Sequence, residues 1–247
     1  MKVSIITVCY NAESTIEFAL QSVLNQDYKD IEYIVIDGAS SDNTPSIIKK
    51  YEGKIAKIVS EKDNGMYYAI NKGIELATGD VVGLLHADDF YASNKIISRI
   101  VTEFQSKNID AVYGDLQYVF KEDINKVFRN WNSNPYNPSL FLKGWMPPHP
   151  TFFVKRKCYK DFGKFNTTFS ISADYELMLR FLYKHNIKAT YIPEVIVKMR
   201  VGGVSNISIQ NRIKANMEDR RAWKINGLKP NVLTLFLKPL SKLRQYI

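Results

Sequence analysis

The chain has 247 residues, of which 45% are apolar and 24% charged, with a formal net charge of +9. These values are typical of a globular protein with a sizeable core and exclude a disordered or fibrous chain. Cys9 and Cys158 both lie in apolar sequence, which argues against a disulfide-stapled domain and favours a reducing compartment. The N-terminus runs straight into strand-like sequence, so no secretory signal is expected, and no apolar run approaches the roughly 20 residues of a membrane span.

Strand-like and helix-like segments alternate over the first 85 residues. The predicted strands are 3–8, 33–36, 55–59 and 81–85, and the predicted helices between them are 16–24, 44–51 and 66–77. Because this alternation forms a mainly parallel sheet with helices on both faces, we predict an α/β fold. The ligand crevice of such a sheet lies at the carboxyl ends of its strands, where Asp37 and the pair Asp88-Asp89 fall.

The pattern changes in the second half of the chain. After a helix at 94–107, we predict a short strand at 111–114, a hairpin of 116–120 and 126–130, and an Asn- and Pro-rich connection at 131–150. Connections of that length are usually functional or mobile. A strand at 151–154, a helix at 172–185, extended sequence at 189–201 and a helix at 208–226 follow.

The adjacent acids Asp88 and Asp89 predict a site for a divalent cation. Two neighbouring carboxylates repel each other, and Mg²⁺ or Mn²⁺, which prefer oxygen ligands, would relieve that repulsion. Such an ion could also take up charge on a departing diphosphate. The alternative is an acidic loop cap, since acid pairs after strands are common.

Asp174 stands in the first turn of the helix predicted at 172–185. A carboxylate is favoured there by the helix dipole alone, and it is also a place where a rigidly held general base could stand. Glu176 projects about 200° further round the helix and cannot share that task. His86 and His149 have no zinc-like spacing, so each is interpreted as structural or hydrogen-bonding. Phosphate loops, dinucleotide glycine fingerprints and nucleophile elbows are absent from the sequence.

Six segments in this order resemble the family 2 glycosyltransferases of the GT-A fold. They are 4–11, 22–26, 34–44, 63–65 together with Ala69 and Asn71, 86–89, and 172–177. The resemblance covers residues 3 to about 203 and implies a GT-A type, Rossmann-like sheet. It also implies a catalytic domain at 1–203, with a nucleotide-sugar half at 1–115 and an acceptor half at 116–203, and a helical, basic, amphipathic extension at 204–247.

The resemblance implies a role for each matching residue. Asp174 would be the general base that deprotonates the acceptor hydroxyl, and Asp88 and Asp89 would bind Mn²⁺ or Mg²⁺. The nucleotide sugar would be bound by Thr7, Tyr10, Asn11, Asp37, Asp63, Asn64, Gly65, Asn71 and Asp88. A single in-line displacement would invert the anomeric carbon. Two positions depart from the family: Gly38 replaces a second acid after Asp37, and His86 replaces the first Asp of the acidic motif.

The C-terminal region is strongly basic. Beyond Asp219 the sequence holds seven basic and no acidic residues: Arg220, Arg221, Lys224, Lys229, Lys238, Lys242 and Arg244. With an apolar stripe at 233–243, residues 229–247 suit an interfacial helix, or a helix packed on the enzyme or on a second subunit. Family members of this kind act on polyprenyl-linked saccharides in bacterial polysaccharide biosynthesis, which predicts a cytoplasmic enzyme with peripheral inner-membrane contact. The oligomeric state stays open.

Two other functions are open to a chain with these features. One is a nucleotidyltransferase, although the sequence after the first strand lacks the glycine- and arginine-rich phosphate loop of that class. The other is a protein that binds nucleotide sugars without transferring them. Nucleic-acid binding is not predicted, because no recognition module accompanies the basic residues.

Overall fold

The computed structural model describes residues 1–202, 209–230 and 234. Its N-terminal half contains the strands β1 (Val3–Cys9), β2 (Ile31–Asp37), β3 (Lys57–Ser60) and β4 (Val81–Leu84). The helices between them are α1 (Ile16–Leu24), α2 (Thr44–Lys49) and α3 (Met66–Leu76). β1 and β2 are rich in β-branched residues, which are favoured in strands covered on both faces. Both strands are almost entirely buried. β3 lies at the sheet edge and is partly exposed.

The second half of the chain extends the same sheet. Its strands are β5 (Asp89–Tyr91), β6 (Ala111–Val119), β7 (Val127–Trp131), β8 (Phe153–Lys155) and β9 (Ala189–Arg200). The order is β3-β2-β1-β4-β8-β6-β9-β5, with β7 also paired to β6. β1 to β4 pair in parallel, as does β6 with β9, and the remaining pairs are antiparallel.

Helices cover both faces of this sheet, as predicted. The remaining helices are α4 (Ile96–Ser106), α5 (Ser139–Leu142), α6 (Arg156–Phe162), α7 (Ala173–Met178) and α8 (Ile209–Ile225). One apolar core contains residues of α3, α6 and α7, and the other contains residues of α1, α2 and α4. The predicted α/β class is confirmed, and the carboxyl ends of β1 to β4 meet at one edge.

Several elements differ from the sequence prediction. The predicted short strand at 111–114 and the first arm of the hairpin are one continuous strand, β6, so the predicted boundary at 115/116 falls inside it. Gly114 interrupts the run of strand-forming residues in β6. β9 passes close to it, so that an added Cβ would lie 2.6 Å from Ile196 Cδ1. The predicted helix at 172–185 is α7 followed by a π-helical segment, Leu179–Lys184. β5, α5 and α6 were not predicted.

Helix α8 packs against α7. Trp223 is fully buried, and its Nε1 donates a hydrogen bond to the Tyr175 hydroxyl at 2.8 Å. Asn226 Nδ2 donates to Glu176 Oε1 at 2.9 Å. Within the predicted extension at 204–247, the described helix α8 is therefore bonded to α7.

The predicted interfacial segment at 229–247 lies largely outside the described residues. Thr234, which is described, is 1% exposed, and its hydroxyl donates to the Leu142 carbonyl at 2.7 Å. Across residues 1–202 and 209–230, no helix combines the length and apolar character needed to cross a bilayer.

Candidate active site

The loops that follow β1 and β2 bond to each other at the edge of the sheet. The Asn11 backbone N–H donates to Ser40 Oγ at 2.8 Å, and the Ser41 N–H donates to Asn11 Oδ1 at 2.9 Å. Asn11 has a φ of 48°, in the left-handed region that asparagine enters more readily than most residues. Asn11 therefore shapes the rim of the cleft, and its contact with a nucleotide stays a prediction.

Three of the predicted nucleotide-binding residues are exposed at this rim. The Tyr10 side chain is 66% exposed and lies beside Gly38, where an added Cβ would be 3.4 Å from Tyr10 Cδ2. Its ring offers a face on which a nucleotide base can stack. Asn64 and Gly65 are exposed on the loop after β3. Gly65 directly precedes α3 with a φ of 126°, a backbone conformation that favours glycine.

Asp37, which is predicted to lie beside the base or ribose of the nucleotide, is the last residue of β2. It is 1% exposed. Its Oδ1 accepts a hydrogen bond from Ser40 Oγ and its Oδ2 accepts one from Ser60 Oγ, both at 2.5 Å. The carboxylate is therefore satisfied inside the protein, where it ties the loop after β2 to the end of β3. The contact of Asp37 with a nucleotide stays a prediction.

Thr7 and Asn71, both predicted to bind the nucleotide sugar, make contacts within the protein. Thr7 is fully buried in a strand whose other residues are also buried, and its hydroxyl lies 3.0 Å from that of Tyr33. Asn71 Nδ2 donates to the Phe165 carbonyl at 2.8 Å, and Asn71 Oδ1 accepts from the Phe165 N–H at 2.9 Å. Both side chains therefore contribute to the scaffold, and their contacts with a nucleotide sugar stay predictions.

Asp63 is mostly buried at the loop before α3. Its side chain is 9% exposed, and its Oδ1 is 2.7 Å from Lys72 Nζ, which also pairs with Glu61 at 2.7 Å. Asp63 Oδ2 is buried and has no hydrogen-bond partner among the described residues. This oxygen can accept a hydrogen bond from a ligand, so Asp63 stays a candidate binding residue.

The two acids of the motif after β4 occupy different environments. Asp88 is half-buried at the end of the loop, whereas Asp89 begins β5 and is fully buried. Burial, with the neighbouring charge of Asp88, raises the pKa of Asp89 well above its ordinary value. Both carboxylate oxygens of Asp89 are buried and have no hydrogen-bond partner among the described residues, whereas the Asp88 side chain is partly exposed. Which of Asp88 and Asp89 would bind a metal directly stays open, and the metal site stays a prediction.

Arg200, which the sequence analysis did not single out, holds the acidic motif in place. It lies at the end of β9, is 6% exposed, and donates from Nη1 to the Asp88 carbonyl at 2.6 Å. Its guanidinium lies over the rings of Phe18 and Phe90, at 5.2 and 5.1 Å from their centroids. These contacts fix the backbone of Asp88 from a strand more than a hundred residues later.

Asp174 lies in the first turn of α7, as predicted, with its side chain 19% exposed. Its Oδ2 is 3.0 Å from His149 Nδ1, and its Oδ1 is 3.5 Å from the Tyr67 hydroxyl. Tyr67 donates its stronger hydrogen bond to the Ile171 carbonyl at 2.7 Å. Asp174 is therefore approached by polar side chains from two other segments, those of His149 and Tyr67.

A cavity joins this carboxylate to the acidic motif. Asp174, His149 and His86 all line it, and the rings of His86 and His149 are 6.0 Å apart. The rest of the lining is mostly apolar: Met66, Tyr67, Ile70, Leu84, Phe152, Tyr159, Phe165, Leu177 and Met178. Burial, followed by the proximity of His149, lowers the pKa of His86, which favours a neutral imidazole. Asp174 thus lies in the same cavity as His86, which is two positions before Asp88 in the sequence.

Glu218 of α8 fixes the loop that leads into α7. Its carboxylate accepts hydrogen bonds from the backbone N–H groups of Ser170, Ile171 and Ser172 at 3.0, 2.9 and 2.8 Å, and from Ser170 Oγ at 2.8 Å. Burial acts to raise the pKa of Glu218, but these hydrogen bonds outweigh it and lower the pKa. No local signal in the sequence pointed to this residue, because its partners lie more than forty positions away.

Comparison with known proteins identifies the family. The family model described as glycosyl transferase family 2 matches residues 4–175. The chain belongs to glycosyl transferase family 2. It is therefore a glycosyltransferase, as the motifs predicted.

Two bacterial relatives illustrate the likeness. This glycosyltransferase is 30% identical over 226 residues to the Escherichia coli protein WfgD, named UDP-Glc:alpha-D-GlcNAc-diphosphoundecaprenol beta-1,3-glucosyltransferase, covering 91% of this chain and 85% of WfgD. It is 31% identical over 182 residues to an uncharacterized glycosyltransferase of Mycobacterium tuberculosis, covering 72% of this chain and 68% of that protein.

Solved structures confirm the GT-A type fold. TarS of S. aureus, residues 1–349 in complex with UDP, is similar with a TM-score of 0.69 at 19% identity, covering 96% of this chain and 68% of that chain. The mannosyltransferase PcManGT of Pyrobaculum calidifontis, in complex with GDP-Man and Mn²⁺, has a TM-score of 0.66 at 20% identity, covering 99% and 69%.

Asp88 fits a divalent cation in this glycosyltransferase. It presents a half-buried carboxylate, the hard oxygen donor that Mg²⁺ and Mn²⁺ prefer. The part of the chain that the structure describes contains no group of three or more His, Cys, Asp or Glu side chains able to hold a metal. A cation at Asp88 would therefore take most of its ligands from a diphosphate and water, as Mg²⁺ commonly does at substrate phosphates.

Proposed function

We propose that this glycosyltransferase transfers a sugar from a uridine diphosphate sugar to a hydroxyl of a lipid-linked saccharide, with inversion at the anomeric carbon. The similarity to WfgD, which covers 91% of this chain, supports a lipid-linked acceptor of the kind in that protein's name. The uridine nucleotide is supported by the same name and by the UDP and UDP-GlcNAc bound in TarS. The nucleotidyltransferase and binding-only alternatives gain no support from these relatives.

The observation that carries the proposal is the shared cavity of Asp174 and His86, next to Asp88. In the proposed step the acceptor oxygen attacks the anomeric carbon while its proton passes to Asp174. The bond from that carbon to the diphosphate oxygen breaks on the opposite face, and the diphosphate leaves with the electron pair. Attack from one face and departure from the other invert the configuration, and no covalent bond to the enzyme forms.

Three groups of residues prepare that step. Tyr10 stacks on the base, Asn11, Asp63, Asn64 and Gly65 line the nucleotide pocket, and Asp88 binds Mn²⁺ or Mg²⁺, which would neutralise charge on the leaving diphosphate. The mostly apolar wall of the cavity excludes water, which would otherwise compete with the acceptor for the sugar.

The proposal also places the enzyme at a membrane surface, because its acceptor is anchored there. The basic residues Lys229, Lys238, Lys242 and Arg244 would attract anionic lipid headgroups. The enzyme would then be cytoplasmic and peripheral on the inner membrane.

The test is transfer from a panel of UDP-Glc, UDP-GlcNAc, UDP-Gal and GDP-Man to a short-chain GlcNAc-diphosphate lipid, with Mn²⁺, Mg²⁺ or EDTA. We expect one UDP-sugar to be used, EDTA to abolish transfer, and the NMR coupling of the product to show inversion. Retention of configuration, or undiminished transfer in EDTA, would contradict the mechanism.

Matched variants separate the two acids. Asp174→Asn should lower turnover by about 10²- to 10⁴-fold, the usual contribution of a general base, while UDP binding in Mn²⁺ measured by calorimetry is retained. Asp88→Ala should weaken that binding itself. Asp30→Asn, at the opposite end of β2 and 56% exposed, is the control and should change neither. Loss of UDP binding in Asp174→Asn would refute the division of roles.

A further inference from the structure

The contact between His149 and Asp174 is not part of the proposed step. His149 Nδ1 lies 3.0 Å from Asp174 Oδ2, and His149 is 30% exposed in the cavity that both residues line. At this distance an Nδ1–H can donate to the carboxylate, which in its charged form only accepts hydrogen bonds. Oδ2 of Asp174 thus faces His149, while Oδ1 lies 3.5 Å from the Tyr67 hydroxyl.

His149 is held by an unusually restrained turn. It begins the 3₁₀ turn His149–Thr151, and Pro148 and Pro150 flank it and restrict the backbone. Thr151 is fully buried, with its hydroxyl 3.0 Å from the Gly114 carbonyl, and it accepts a bond from the Gly114 N–H at 3.3 Å. The turn is thus fastened to β6, in the middle of the sheet, and the imidazole starts from a rigid base.

Asp174 is held from the other side by a different element. Its loop is bonded to Glu218 of α8, while His149 reaches its side chain from the sheet. Glu218 thus fixes the backbone just before Asp174, and His149 contacts the carboxylate itself. A reacting group displaced by about 1 Å can lose about 10²-fold in rate, so a side chain that selects one rotamer of a base has a direct effect on turnover.

We infer that His149 is a positioning residue for Asp174: its Nδ1–H fixes the carboxylate so that Oδ1 meets the acceptor hydroxyl. The inference rests on the proposed role of Asp174 as the base. It assigns no proton transfer to His149 Nε2.

Two amide substitutions of His149 distinguish a role of Nδ1 from a role of Nε2. In His149→Asn the side-chain N–H stands near the place of Nδ1, whereas in His149→Gln it stands near the place of Nε2. We expect His149→Asn to keep turnover within about threefold of the wild type and His149→Gln to lose about 10- to 100-fold, both with unchanged UDP affinity and donor KM. The control His185→Gln changes an exposed histidine that stacks on Phe162 and should have no effect.

Equal turnover in the two His149 variants would overturn the inference, and so would greater loss in His149→Asn, which would point to Nε2 as the essential atom. A second measurement needs no activity. In ¹⁵N-histidine-labelled wild-type enzyme, Nδ1 of His149 should be protonated at neutral pH, and Asp174→Ala should shift that resonance. An unprotonated Nδ1 would refute the hydrogen bond. Absence of transfer by the wild-type enzyme would instead refute the proposed function, leaving the NMR result to judge the contact.

Discussion

Replacing Glu218 by alanine removes the carboxylate that accepts three backbone hydrogen bonds ahead of α7. The Ser170 N–H is at an exposed residue, so water can replace its bond, but the N–H groups of Ile171 and Ser172 lie deeper. A buried donor left without an acceptor costs about 1–3 kcal/mol. For two such donors, we expect Glu218→Ala to lower the free energy of unfolding by about 2–6 kcal/mol.

Urea unfolding followed by fluorescence measures that loss, and turnover measures its effect on the site. Because the same loop carries Asp174, turnover should fall by about tenfold or more at a temperature where the variant is still folded. Glu122→Ala, on the exposed turn between β6 and β7, is the control. If Glu218→Ala is destabilised by no more than this control, within about 0.5 kcal/mol, the reasoning about buried N–H groups is wrong.

Two further predictions concern acid stability and lipid binding. Burial acts to raise the pKa of Glu32, but hydrogen bonds from neighbouring hydroxyl and amide groups outweigh it and lower the pKa from 4.5 to about 2. This stability is present above pH 4.5 and is lost as the pH falls toward 2, by about 3 kcal/mol in total. When the free energy of unfolding is measured between pH 4.5 and 2, Glu32→Gln should lose less stability than the wild type. The same dependence of stability on pH in both proteins would contradict this prediction. Replacing Lys238, Lys242 and Arg244 together by Gln should weaken the binding free energy to anionic liposomes by about 1 kcal/mol per residue, as measured by flotation. Unchanged flotation would remove the membrane contact from the proposal.

The sequence predicted the parallel half of the sheet because its signals are local. Runs such as 3–8 and 33–36 are rich in β-branched residues, and their carboxyl ends carry the polar residues that mark a cleft. The position of Asp174 in the first turn of a helix was predictable for the same reason. Family membership followed from the order of the motifs, which the match over residues 4–175 confirms.

The direction of individual side chains was harder to predict. Asp89 was interpreted as a loop residue, but pairing with β9 makes it the start of a strand and turns its carboxylate inward. Asn71 matches a motif, yet its amide bonds to Phe165, which the sequence does not place nearby. The partners of Arg200 and Glu218 are equally distant in the chain. Such contacts are set by tertiary packing, which periodicity and spacing do not encode.

The attachment of α8 to the loop before α7 has a practical consequence for protein engineering. A fragment ending at the boundary predicted at 203 would retain every motif shared with the family while discarding Glu218 and Trp223. Chimeras that exchange acceptor specificity should therefore take this helix and residues 170–176 from the same parent protein. The loop then keeps the helix residues that hold it in place.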